Sequence, residues 1–207
     1  MARIGLLGGS FDPIHRAHLE LARSAAEQLG LDEVWLIPAG QPWQRGALGA
    51  GPEHREQMVR LAAHAAPRLR ALDLELRRAG PTYTIDTLRE LRAEHPQHEF
   101  VLLLGADQLH NFGTWKEWEQ IAGCVDLAVA ARPGNELRPD PALLRALHDG
   151  GHRLLTLRMP LLDVSATRVR EYAAKGLDLH ELVPDAVAHY IERHQLYRTP
   201  AAPHGHS

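Results

Sequence analysis

Short apolar runs alternate along this chain with longer stretches whose apolar residues fall three and four positions apart. The runs at 3–7, 33–38, 100–104, 127–131 and 153–157 predict buried strands, and 69–74 is a weaker sixth. The stretches 17–29, 53–65, 84–94 and 115–121 carry the spacing of amphipathic helices. Strand followed by helix, repeated, predicts an α/β fold with right-handed crossovers and a parallel sheet covered on both faces. Sheets of this kind bind ligands outside the carboxyl ends of their strands, where the chain changes direction. Loops that follow strands are therefore where chemistry is expected. Residues 164–195 read as two or three further helices, with Pro184 placed to start the last one. One domain over 1–198 accounts for all of these elements. The tail, 199–207, is rich in Pro, His and small residues and predicts disorder. The stretch 40–52 holds four glycines and two prolines, the composition of a long loop that moves when ligand binds.

Composition narrows the classes. The chain has 207 residues, 44% of them apolar, enough for a sizeable core. A formal charge of −3 gives no basic excess for a nucleic-acid partner. Cys124 is the single cysteine, which excludes an internal disulfide framework and a cysteine-based zinc cluster; in GCVDLAVAA it reads as a buried, inert thiol. The opening MARIGLLGGSF is too short an apolar run for a signal peptide. Nothing approaches the ~20 apolar residues of a membrane span. A cytoplasmic protein without a membrane partner is expected.

Candidate chemistry stands first in GLLGGSFDPIHRAHLELA, which follows the first strand. Gly8 and Gly9 leave the strand end without side chains, so a phosphate or ribose can approach the backbone. Asp12-Pro13 makes a turn, and His15 and His18 fall at i and i+3 around a helix start, where free N–H groups and the dipole favour an anion. The string is neither G-x-x-x-x-G-K-[ST] nor G-x-G-x-x-G. Three readings of the histidines stay open: bystanders, metal ligands lacking a third partner nearby, or phosphate donors. Near the other end, VSATRVREY holds Ser165, Thr167 and Arg170 in the pattern S-x-T-x-x-R. With Ser165 as a cap, hydroxyls and free N–H groups make an oxygen cradle that a guanidinium can reach. An ordinary capped helix with a surface arginine explains this segment alone, but the two segments together are harder to explain so.

The pair GGSFDPIHxxH and SxTxxR resembles the nucleotidylyltransferase superfamily with an HxGH-type signature. Within it, the chain is similar to the bacterial nicotinate mononucleotide adenylyltransferases along almost its whole length. LIPAGQPWQR, PTYTIDTLREL, LLLGADQLHNFGTWKEWEQI and VAARPG carry the narrower match. Two positions depart from it: Ala17 stands where that signature usually has glycine, and Gln44-Arg45 where relatives often have His-Lys.

The resemblance implies a Rossmann-like, doubly wound sheet with a small helical C-terminal part, and adenylyl transfer from ATP to nicotinate mononucleotide. His15, His18 and Arg170 would be catalytic. Gly8, Gly9, Ser10, Phe11, Gly105, Asp107, Ser165 and Thr167 would bind ATP. Arg45, Thr82, Tyr83, Thr84, Trp115 and Arg132 would bind the acceptor, although Arg45 and Arg132 read equally well as solvated charges. Trp118 rivals Trp115, and core packing explains one of the pair. No protein-held metal is implied; Mg2+ would arrive with the triphosphate. A homo-oligomer stays open. The rivals are a superfamily member using phosphopantetheine or a cytidylyl donor, and a nucleotide-binding regulatory module without turnover.

Overall fold

The computed structural model describes residues 1–42, 48–131, 137–160 and 162–198. Its strands are β1 (Arg3–Gly9), β2 (Glu33–Pro38), β3 (Gln41–Pro42), β4 (Leu69–Ala71), β5 (Pro81–Thr82), β6 (Glu99–Gly105), β7 (Asp126–Ala131) and β8 (Leu154–Arg158). Its α-helices are α1 (Arg16–Leu29), α2 (Pro52–His64), α3 (Thr84–Glu94), α4 (Ala106–His110), α5 (Trp118–Ala122), α6 (Pro141–Asp149), α7 (Ala166–Ala174) and α8 (Asp185–Arg193). Six strands form one parallel sheet in the order β4-β2-β1-β6-β7-β8. The sheet grows outward in one direction from β1 and in the other from β6. That is the doubly wound, Rossmann-like order, and its switch point lies between β1 and β6. β3 and β5 make a separate two-residue parallel ladder that ties Gln41-Pro42 to Pro81-Thr82.

Alternation along the strands explains the two layers, because successive side chains leave opposite faces. Val101 and Leu103 enter a core shared with α1, α2, α7 and α8. Leu102 and Leu104 enter a second core shared with α3, α5 and α6. Burial on both faces is why these strands read as continuous apolar runs rather than alternating ones. No helix among the described residues is long and apolar enough to cross a membrane.

Besides the short β3, β5 and α4, which the spacing does not show, three elements differ from the sequence reading. The strand expected over 69–74 pairs only at Leu69–Ala71, and Leu74 then turns into the second core. The helix expected over 115–121 does not begin at Trp115. A 3₁₀ turn at Phe112–Thr114 ends there in extended backbone, and Glu117, at φ 53°, is left-handed and caps α5. Arg89 Nη2 donates to the Glu117 carboxylate at 2.5 Å across from α3. The third is α6, which the spacing analysis passed over. Asp140 accepts from the Ala142 N–H at 2.7 Å, Pro141 opens the helix, and Leu143 and Leu147 are buried one turn apart. Residues 199–207 lie outside the described residues.

Candidate active site

A cavity of about 580 Å³ opens at the switch point, and its wall includes Gly8, Gly9 and Ser10 after β1 and Gly105 after β6. The β1 turn aims α1 at it, so that His15, Ala17 and His18 line the wall. His15 is the N-cap of α1 in extended backbone, and its ring stacks on that of His18 with centroids 3.7 Å apart. The His15 backbone N–H donates to His18 Nδ1 at 3.2 Å. An accepting Nδ1 puts the proton of a neutral His18 ring on Nε2. Phe11 supports the pair with an edge contact to His18 at 5.0 Å. The His15 ring is 7% exposed, and its Nδ1 has no hydrogen-bond partner. Burial pushes its pKa down to about 4, so it is neutral at pH 7.

A second helix start faces the same cavity. Ser165 caps α7, its Oγ accepting from the Arg168 N–H at 3.2 Å, and Ser165, Ala166 and Thr167 line the wall. Arg170 lies one turn on, outside the lining. Its Nη1 donates to the Asp12 backbone carbonyl at 2.7 Å and its Nη2 to Thr167 Oγ1 at 3.3 Å. A guanidinium has five N–H donors, so these bonds fix the group without exhausting it.

Sequence reasoning missed the roles of two buried residues at this wall, Asp12 in its lining and Arg55 behind it. Asp12, read only as a turn residue, is 3% exposed, and its carboxylate accepts from the Gly49 N–H at 2.7 Å, the Ala50 N–H at 2.9 Å and the Tyr197 hydroxyl at 2.9 Å. Arg55, 1% exposed, donates through Nη1 to the carbonyls of Ser10 at 2.8 Å and Ala39 at 2.7 Å, and through Nη2 to Gly40 at 3.2 Å. These partners are distant in sequence and leave no local pattern; an arginine at the start of the apolar face made by Met58, Val59, Ala62 and Ala63 was the one available signal.

The far side of the cavity is built by Asp107 in the first turn of α4, Thr82 at the end of β5, Thr84 at the start of α3, and Trp115. Trp115 is half-buried and tilted against Phe112 at 5.2 Å, and its Nε1 is buried without a partner. Trp118, also half-buried, packs on the second core and is absent from the lining. Glu75 reaches this end as well. Burial pushes its carboxyl up, against the bond it accepts from the Thr87 hydroxyl at 2.7 Å. Besides Arg170, two expected contacts among the described residues do not line the cavity. Phe11 is core, 1% exposed, and Tyr83 caps α3 with Lys116 Nζ over its ring at 4.4 Å. Arg45 and Arg132 lie outside the described residues.

The model of the family described as "Cytidylyltransferase-like" matches residues 6–172. A protein of Bordetella petrii named "Probable nicotinate-nucleotide adenylyltransferase" is 52% identical over 96% of this chain and 100% of its own length. One with the same name from Symbiobacterium thermophilum is 43% identical over 95% of this chain and 96% of its own. The chain belongs to the nicotinate-nucleotide adenylyltransferase family. The fold agrees: a nicotinic acid mononucleotide adenylyltransferase of Plasmodium falciparum, solved with NaAD, superposes with a TM-score of 0.76 at 21% identity, covering 95% of this chain and 98% of that one. In this adenylyltransferase-family chain, Ala17, where the signature usually has glycine, lines the cavity.

Proposed function

We propose that the chain transfers the adenylyl group of ATP to nicotinate mononucleotide, giving nicotinate adenine dinucleotide and pyrophosphate, as a cytoplasmic step of NAD biosynthesis. The observation that carries this reading is the convergence of two helix starts, α1 and α7, on one cavity at the sheet's switch point, each bringing side-chain donors. Such an arrangement suits a chain of phosphates. Relatives of nearly the same length carry the corresponding name.

An acceptor phosphate oxygen bonds to the α-phosphorus of ATP, and the bond from that phosphorus to the bridging oxygen of the β-phosphate breaks. The acceptor is already ionised at pH 7, so no proton need be removed. The protein's task is to align reactants and neutralise charge on the departing pyrophosphate. His15 and His18 donate to the phosphates as that charge grows. Ser165 and Thr167, with Arg170 behind them, hold the leaving group. Gly8, Gly9, Ser10, Gly105 and Asp107 shape the nucleoside side. Among the described residues no group of three or more His, Cys, Asp or Glu is placed to hold a metal. By the family resemblance, a Mg2+ ion would enter with ATP, as part of the substrate, against walls that supply donors for phosphate oxygens.

Thr82, Thr84 and Trp115 form the acceptor end. Backbone N–H groups at 82–84 pair well with a carboxylate and poorly with an amide NH2. Pyrophosphate release, measured with nicotinate and with nicotinamide mononucleotide, is expected to favour the acid ten-fold or more in kcat/KM, about 1.4 kcal/mol. Equal values for the two acceptors would overturn the assignment.

Trp115 offers a flat face beside the cavity and a buried Nε1 awaiting a partner. Stacking of a base on an aromatic side chain is worth about 1–3 kcal/mol. Trp115→Ala is therefore expected to weaken acceptor binding roughly ten-fold or more, with ATP affinity nearly unchanged, as titration calorimetry would read. Trp118→Ala should leave both affinities intact and lower stability. Because Trp118 is only half-buried, the loss falls below the roughly 3–5 kcal/mol of a fully buried tryptophan. Acceptor affinity lost at Trp118 instead would reverse the two roles.

A further inference from the structure

Tyr197, in the segment after α8, donates to the Asp12 carboxylate across 185 positions of sequence. The same residue, Asp12, holds Arg170 through its backbone carbonyl and the 49–50 backbone through its carboxylate. One buried residue thus joins the turn after β1, the segment before α2 and the C-terminal segment through its carboxylate, and the arginine of α7 through its carbonyl. The joint is tight. A Cβ built on Gly49 would lie 2.9 Å from Tyr197 Cδ1 and 3.3 Å from Arg170 Cδ, so bare backbone is wedged between the two side chains.

The backbone on both sides of the Tyr197–Asp12 bond is strained. Gln195 at φ 51° and Tyr197 at φ 63° are left-handed, and so is Phe11, next to Asp12, at φ 44°. Non-glycine residues, aromatic ones above all, adopt this conformation only where the surroundings enforce it. Burial, with Asp12 alongside, pushes the phenol's pKa up, so the hydroxyl keeps its proton and remains a donor. Leu196 and Tyr197 also pack on the first core, which explains why the segment stays near but not why it bends to deliver this hydroxyl.

We propose that Tyr197 is a positioning residue for the phosphate wall, its hydroxyl fixing Asp12 and, through Asp12, the direction in which Arg170 presents its remaining donors. The proposal rests on the reading of Arg170 as a phosphate-holding group. It concerns ATP and not the acceptor, because the hydrogen bonds of the joint link Asp12 to Gly49, Ala50, Arg170 and Tyr197, on the α7 side of the cavity.

The test is Tyr197→Phe in the full chain, which keeps the ring between Gly49 and the core and removes only the hydroxyl. Tyr190→Phe is the control. It deletes another hydroxyl of the C-terminal part, bonded to His54 Nδ1 at 2.9 Å and remote from Asp12. Asp12 keeps two N–H donors in the variant, so kcat/KM for ATP should fall about five- to twenty-fold. KM for the acceptor should stay within two-fold, and Tyr190→Phe should match wild type in both. Affinity for a methylene analogue of ATP should fall alongside. A lowered Tm with unchanged ATP kinetics, or equal losses toward both substrates, would reduce Tyr197 to a structural residue. Should wild type bind the analogue yet fail to turn over with nicotinate mononucleotide, the acceptor assignment fails, and the ratio of analogue affinities decides the role of Tyr197 by itself.

Discussion

His18→Ala is expected to fold normally, bind ATP within a few-fold of wild type, and turn over about 10²–10³-fold more slowly. The expectation comes from how the ring is held. His18 Nδ1 accepts from the His15 N–H, the ring stacks on His15, and Phe11 closes its edge. Orientation is therefore fixed before substrate arrives, with Nδ1 engaged as an acceptor and the ring's N–H on Nε2. A donor so placed strengthens its bond only as negative charge develops on the bridging oxygen, which raises kcat rather than ground-state affinity. His18→Asn should recover part of the loss, because the amide oxygen can replace Nδ1 as acceptor for the His15 N–H while the NH2 donates outward. Single-turnover kinetics with calorimetric ATP affinities separate the two effects. If His18→Ala turned over at near the wild-type rate, the ring would be a structural cap of α1.

The same side chain shows why this half of the site could be read from sequence. Gly-Gly, Asp-Pro and two histidines one turn apart lie within eleven consecutive residues, 8–18, and a strand-to-helix turn determines their arrangement locally. Ser165 and Thr167 share that advantage, since a helix cap is a local structure. The apolar runs gave the sheet for a related reason: burial on both faces makes each strand a continuous signal. What failed to show were features made by the tertiary fold. β3 and β5 are two residues each and exist only as a pair. Trp115 was expected inside a helix because its spacing from Trp118 suits one, but Glu117 breaks the backbone between them. Arg170 was expected to reach substrate directly, and its tie to the Asp12 carbonyl, 158 positions away, has no counterpart in the local pattern. Phe11 stands inside the first motif, yet its ring supports His18 from the core instead of lining the cavity.

Arg55 is the largest of these omissions, and Arg55→Leu is expected to lower the free energy of unfolding by about 3–5 kcal/mol. Its guanidinium bonds the carbonyls of Ser10, Ala39 and Gly40, which follow the ends of the adjacent strands β1 and β2. Beyond the last residue of a strand the ladder no longer pairs these carbonyls, and a buried one left unpaired costs about 1–3 kcal/mol. Leucine restores some apolar contact but offers none of the donors, so the losses at the three carbonyls outweigh that gain. The buried charge is itself expensive. Desolvation pushes the Arg55 pKa down, the nearby Asp12 carboxylate opposes it, and Nε has no partner. A group kept under those conditions is there for the three carbonyls it joins. Lysine carries the charge on a single nitrogen and lacks the planar fork, so Arg55→Lys should fall between wild type and leucine. In a chain of this size each 1 kcal/mol moves Tm by roughly 2–4 °C, which puts the leucine variant about 6–20 °C below wild type. Denaturant titration with an unchanged m-value would assign the loss to the native state. Stability within about 1 kcal/mol of wild type would mean that water replaces the guanidinium at those carbonyls, and that the ends of β1 and β2 hold their places beneath the cavity without it.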